Sequence, residues 1–143
     1  MGTSVKEGMQ EQILVLTPTV NQTTLSGTIP ALPGMTVVID WLNGYAVNAS
    51  AVVVYGSAIT IEALNDLAEK IVCAYEDGFA TTALTVRSCF ADFVGGAASV
   101  AANQASFSPR VGQAVTVTVT VSGVAVGTDG WIGGIAGYHY ELL

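Results

Sequence analysis

The stretch Gln113–Val126, QAVTVTVTVSGVAV, constrains the fold more tightly than any other part of the chain. Val115, Val117, Val119 and Val121 alternate with Thr116, Thr118, Thr120 and Ser122. In an extended chain this places every valine on one face and every hydroxyl on the other. A helix would scatter the valines around its circumference, and β-branched residues suit a pleated surface. The stretch is therefore a strand between a core and a wetter exterior. Gly127-Thr128-Asp129-Gly130 follows as a turn whose Asp-Gly pair tolerates positive φ, and Trp131–Leu142 returns as a second extended run. A long C-terminal hairpin is the expectation.

Upstream, Glu11–Thr17 reads as a short apolar strand ended by Pro18, and Gln22–Ile29 as a polar edge strand stopping before Pro30. Pro33-Gly34 marks a turn. Met35–Leu42 reads as a central strand, Asn43-Gly44 as a hairpin turn, and Tyr45–Tyr55 as the returning strand. Thr60–Asp77 has the marks of a helix. Thr60 can cap its start, Glu62 lies in its first turn and Gly78 follows its end. Ile61, Leu64, Ala68, Ile71, Val72 and Tyr75 fall on one stripe at three- and four-residue spacing, with Glu62, Asp66, Glu69 and Glu76 opposite. On that wheel Cys73 lies near the polar side, within reach of thiol reagents. Thr82–Phe90 alternates as a strand, and Asp92–Ala105 reads as a loop with a short helix.

At 143 residues the chain can bury a core without metal or disulfide staples. Residues 11–143 form one β-sandwich domain in this reading, preceded by a flexible polar arm at 1–10. Apolar residues make up 51% and charged residues only 10%, well below the usual quarter. A monomer would have to cover itself with Thr, Ser, Gly, Asn and Gln, so the composition favours a surface shared with neighbours. The net charge of −7 and the scatter of Lys6, Lys70, Arg87 and Arg110 oppose nucleic-acid binding and anionic membranes. No apolar leader is visible near Met1, which points to synthesis in the cytoplasm with Cys73 and Cys89 as reduced thiols.

No catalytic signature accompanies these elements. His139 is the only histidine, without a GxSxG motif or a second His, so an ordinary strand histidine is the simpler reading and no metal or cofactor is implied. Asp66 and Glu69 match no calcium-loop spacing. The glycines of WIGGIAGY mark a bulge or a place where another group comes very close, either within the chain or from a neighbour. Trp131, Gly133, Gly134, Gly137, Tyr138 and Tyr140 are thus the candidate assembly or binding surface.

The fold class expected is mainly β: an antiparallel β-sandwich or flattened barrel with one flanking helix at about 60–77. That order of elements resembles the tail-tube and neck proteins of tailed phages, which place a helix against a β-sandwich. The resemblance is one of architecture. It implies a structural virion component (tube, neck, decoration or fibre base) that partners itself and other virion proteins and is not an enzyme. The alternative is a surface adhesin or carbohydrate-binding module using Trp131, Tyr138 and Tyr140.

Overall fold

A computed structural model describes residues 10–20, 22–48, 58–76, 85–92, 110–111, 114–121 and 130–142. The strands are β1 (Gln12–Val20), β2 (Thr24–Ile29), β3 (Met35–Asn48), β4 (Ile59–Leu64), β5 (Lys70–Glu76), β6 (Thr85–Asp92), β7 (Arg110–Val111), β8 (Val115–Val121) and β9 (Gly130–Leu142). Two antiparallel sheets result. Sheet A has the order β1-β9-β3-β6 with β7 also on β3, and sheet B has the order β2-β8-β4-β5.

The pairings follow one rule. β4 pairs with β5, β3 with β6, β2 with β8 and β1 with β9, like the successive rungs of one long hairpin. Rolling that hairpin up adds the β3–β9 and β4–β8 contacts. This is the connectivity of a jelly roll.

The apex of the hairpin is the turn after Leu64. Asn65 Oδ1 accepts from the backbone N–H groups of Leu67 (3.0 Å) and Glu69 (2.9 Å), and Asn65 Nδ2 donates to Glu69 Oε1 (2.8 Å). Ala68 takes a φ of 61° to complete the reversal.

The helix expected at 60–77 is a β-hairpin over its described part, 60–76, and there is no helix among the described residues. The segment carries two periodicities at once. Its three- and four-residue stripe is real, but Ile59, Ile61 and Ala63 also alternate, and all three are fully buried as a strand. The Asn65 side chain satisfies backbone donors that a helix would have used, and this tips the balance. The helix against a sandwich that carried the likeness to tail-tube and neck proteins is thus absent from the described residues.

Three other expectations fail. β8 and β9 do not form a hairpin but lie in opposite sheets. Asn43-Gly44 is no turn either, because β3 runs straight through it. A Cβ at Gly44 would stand 3.0 Å from Ile61 Cβ and 3.1 Å from Val119 Cγ2. The glycine is there to let the facing sheet approach. β1 likewise continues past Pro18 to Val20, with a register shift between Leu16 and Thr19. An edge strand tolerates that proline, since no inner neighbour needs its missing N–H.

The core fills the space between the sheets. Val115, Val117 and Val119 are fully buried on β8 as their alternation requires, against Ile59, Ile61, Leu42, Ile39 and Ile132. Each such side chain contributes about 1.5–3 kcal/mol by leaving water. The two sheets therefore present unlike outer faces, one apolar and one hydroxylic. The arm at 1–10, apart from Gln10, and the loop reading at 93–105 lie outside the described residues.

Candidate functional site

The outer face of sheet A follows from its register, since residues directly opposite one another share a face. One row holds Ile13, Gly137, Trp41 and Asp92, and the next Val15, Ile135, Asn43 and Phe90. A third holds Gly133, Tyr45 and Ser88, and the last Trp131, Val47 and Val86. Ile13, Val15, Val86, Phe90 and Trp131 are 41–61% exposed. The last three rows carry no charged side chain. Large apolar groups in this arrangement are unusual on a monomer's surface.

The glycines of β9 make the face flat enough for rings to lie on it. A Cβ at Gly137 would collide with the Trp41 indole, and one at Gly133 with the Tyr45 ring. Trp41 also stacks on Phe90, with centroids 6.3 Å apart and planes inclined at 29°, and its Nε1 donates to Glu11 Oε2 (3.2 Å). Gly134 faces the opposite way, towards Ile61 and Leu16 in the core.

Of the six residues singled out in the sequence, Trp131, Gly133 and Gly137 lie on this outer face. Gly134, Tyr138 and Tyr140 do not join them. Tyr138 and Tyr140 are buried edge-to-face at 5.7 Å, and Tyr140 donates its hydroxyl proton to Pro30 O (2.6 Å). The three rings Trp131, Tyr138 and Tyr140 thus share no surface on which a sugar could stack. What sequence reading missed was Trp41, Tyr45, Val86 and Phe90. The available signal was apolar residues at both parities of MTVVIDWL, the pattern of a strand whose two faces are both covered.

At one end of the face lies a polar cluster. An extra residue in β3, between Ile39 and Trp41, sets Asp40 beside β9. His139 Nδ1 is 2.9 Å from Asp40 Oδ2, and its Nε2 is 2.9 Å from Glu141 Oε2. Two ionised carboxylates accept only, so an imidazole satisfies both by carrying both protons. Burial alone would lower its pKa, but the hydrogen bonds and charges of Asp40 and Glu141 outweigh burial and the net shift is upward. Asp40 also shifts upward: burial, with Glu11 and Glu141 nearby, outweighs the attraction of His139. With both ring nitrogens engaged, the imidazole has no lone pair to offer a metal. Among the described residues no group of three or more His, Cys, Asp or Glu could hold one.

Both cysteines are buried, each 3% exposed, so Cys73 is not within reach of reagents as the helical wheel had suggested. Burial pushes the Cys89 thiol up to about 11.

No protein-family model matches the chain, and no curated protein does. Among solved structures it is similar to a chain of the T13 particle of infectious bursal disease virus, with a TM-score of 0.42 and 10% identity over 91% of this chain. It is similar to dimeric latent PorU from Porphyromonas gingivalis, with a TM-score of 0.49 and 8% identity over 95%. A third is the enzymatically active domain of tailspike protein 4 of bacteriophage CBA120, with a TM-score of 0.31 and 13% identity over 93%. The chain spans 31%, 13% and 19% of the lengths of those three chains. With TM-scores below 0.5, these likenesses carry no functional argument.

Proposed function

We propose that this protein is a structural, self-assembling virion component, such as a tail tube, neck, decoration or fibre-base protein, and not an enzyme. It acts through symmetric contacts with copies of itself and with other virion proteins, and it reaches the virion from the host cytoplasm. The observation that carries the reading is the outer face of sheet A, where Ile13, Val15, Val86, Phe90 and Trp131 all stand exposed. The chain has a net charge of −7, and two copies would repel over most of their surfaces. The uncharged rows of sheet A are where they can meet at least electrostatic cost, and a twofold contact would place like against like there.

Jelly rolls recur in viral capsid subunits, though fold alone does not fix function. Scarcity of Lys and Arg argues against nucleic acid and anionic membranes as partners.

The test is the native mass by light scattering at micromolar concentration, for the parent and for Phe90→Asp and Val86→Asp. The parent should be a discrete multimer, and the exposed-site variants should stay folded by circular dichroism while dissociating. A parent that runs as a 14.6 kDa monomer overturns the reading.

A further inference from the structure

The outer face of sheet B differs from that of sheet A in every respect. Register places Tyr75, Thr60, Thr120 and Thr24 in one row across β5, β4, β8 and β2, and Cys73, Glu62, Thr118 and Ser26 in the next. Hydroxyls dominate, and Ser26 Oγ and Thr118 Oγ1 are hydrogen-bonded at 2.9 Å. Towards the β5 edge this face hollows into a groove of ≈ 420 Å³, lined by Thr60, Glu62, Lys70, Cys73, Tyr75 and Thr120. That volume lies within the range of small-ligand sites, about 300–1,000 Å³. A register shift between Ala63 and Leu64 bends the β4–β5 hairpin beside it.

We propose that this groove binds a neutral saccharide. Sugars present hydroxyls that both donate and accept, together with faces of C–H bonds. The groove answers both needs. Glu62 accepts only, Lys70 donates only, and the hydroxyls of Thr60, Thr120 and Tyr75 do either. The Tyr75 ring adds a flat apolar surface with a polar tip. Glu62 and Lys70 are 3.3 Å apart with side chains 25% and 45% exposed, so both charged groups are reachable by a ligand.

Charge selects the class. The pair is internally neutral in a molecule of net charge −7, so phosphorylated, sulphated and sialylated ligands meet no surplus cation. The buried Cys73 forms part of the floor. The site does not depend on the assembly reading, because it occupies the opposite sheet. A multimer joined through sheet A would leave every groove facing outward.

The experiment is saturation-transfer NMR on the full chain with maltose, cellobiose and lactose as probes and sialyllactose as the charged control. At least one neutral disaccharide should bind with millimolar affinity, and sialyllactose should bind more weakly than lactose. Glu62→Gln and Thr60→Val, near-isosteric changes at partly exposed positions, should each weaken binding by about tenfold while leaving circular dichroism unchanged. No transfer from any of the three neutral sugars overturns the proposal. So does undiminished binding in both folded variants, or tighter binding of sialyllactose. None of these results depends on the mass of the particle, so this site and the assembly face fail or stand separately.

Discussion

The indole of Trp41 occupies the space above Gly137 that a side chain there would fill. The two residues are register partners on adjacent central strands of sheet A. A glycine in a strand interior costs stability through chain entropy and lost side-chain contact. Here the ring restores the contact. Gly137→Ala should therefore destabilise the protein, by about 1–3 kcal/mol, because Trp41 must leave its place and its stack on Phe90. Urea denaturation measures the loss. In the Trp41→Ala background the same change should be nearly neutral, and equal losses in the two backgrounds would separate the ring from the glycine.

The valines of β8 face the core and its threonines face outward, which makes neighbouring positions respond oppositely. Val117→Asp or Val119→Asp would bury an unpaired charge at a fully buried site, costing several kcal/mol, enough to unfold a marginal domain. Thr118→Val removes one hydroxyl partner of Ser26 at the outer face and should cost less than about 1 kcal/mol. Thermal melts of the three variants check the contrast, and Asp variants that melt like the parent would place the core elsewhere.

How much of this was legible follows from which signals are local. Alternation around Val115–Val121 marks a buried face whatever its partner, so the strand and its orientation could be read directly. Its partner could not. Asp129-Gly130 and Asn43-Gly44 advertise local hairpins, whereas the nested roll pairs β1 with β9 from opposite ends of the chain. Gly44 matters for the space it leaves Ile61, a tertiary fact with no trace in neighbouring residues. At 60–76 the alternating run of β4 and the continuous apolar run of β5, spaced around a turn, imitate a helical stripe, and the Asn65 hydrogen bonds together with the pairing of β4 to β5 and β8 separate the cases. The candidate face was half legible. Trp131 and the glycines of β9 stood out in the sequence, but the rings that cover Gly133 and Gly137 come from β3. His139 finds Asp40 99 residues away, on an irregularity that no periodicity announces.

At the apex of the roll, Ala68 holds a φ of 61° in the left-handed region. A Cβ there costs roughly 1–2 kcal/mol against the following carbonyl. Glycine escapes that strain but loses more entropy on folding, by about 0.5–1 kcal/mol. Ala68→Gly should therefore be neutral to stabilising, by up to about 1.5 kcal/mol, and Ala68→Val clearly destabilising. Chemical denaturation of both variants gives the comparison. A glycine variant less stable than the parent would mean that the turn does not hold this conformation in solution.

The His139 cluster predicts a stability that depends on pH, with a sign that geometry and charge fix together. The groups facing the imidazole are Asp40 on β3 and Glu141 on β9, with Glu11 nearby ahead of β1. Its pKa in the folded protein is raised above the ordinary 6.5, so the folded state holds this proton more tightly than the unfolded chain. The stabilisation is complete below about 6.5 and is lost as pH rises through the folded value. Asp40, raised above 3.8, has the same sign in a lower window: its contribution is present below 3.8 and lost as pH climbs through its folded value. Each unit of upward shift corresponds to about 1.4 kcal/mol. The slope between about pH 6 and 8 is assigned to His139, the one histidine of the chain, by its loss when the imidazole is removed. The urea midpoint should fall over that interval in the parent. His139→Gln should be less stable at pH 6, since Asp40 and Glu141 lose their cation, yet nearly flat from pH 6 to 8. A parent without the slope, or a glutamine variant that keeps it, would show that the imidazole is not held as a cation between the two carboxylates.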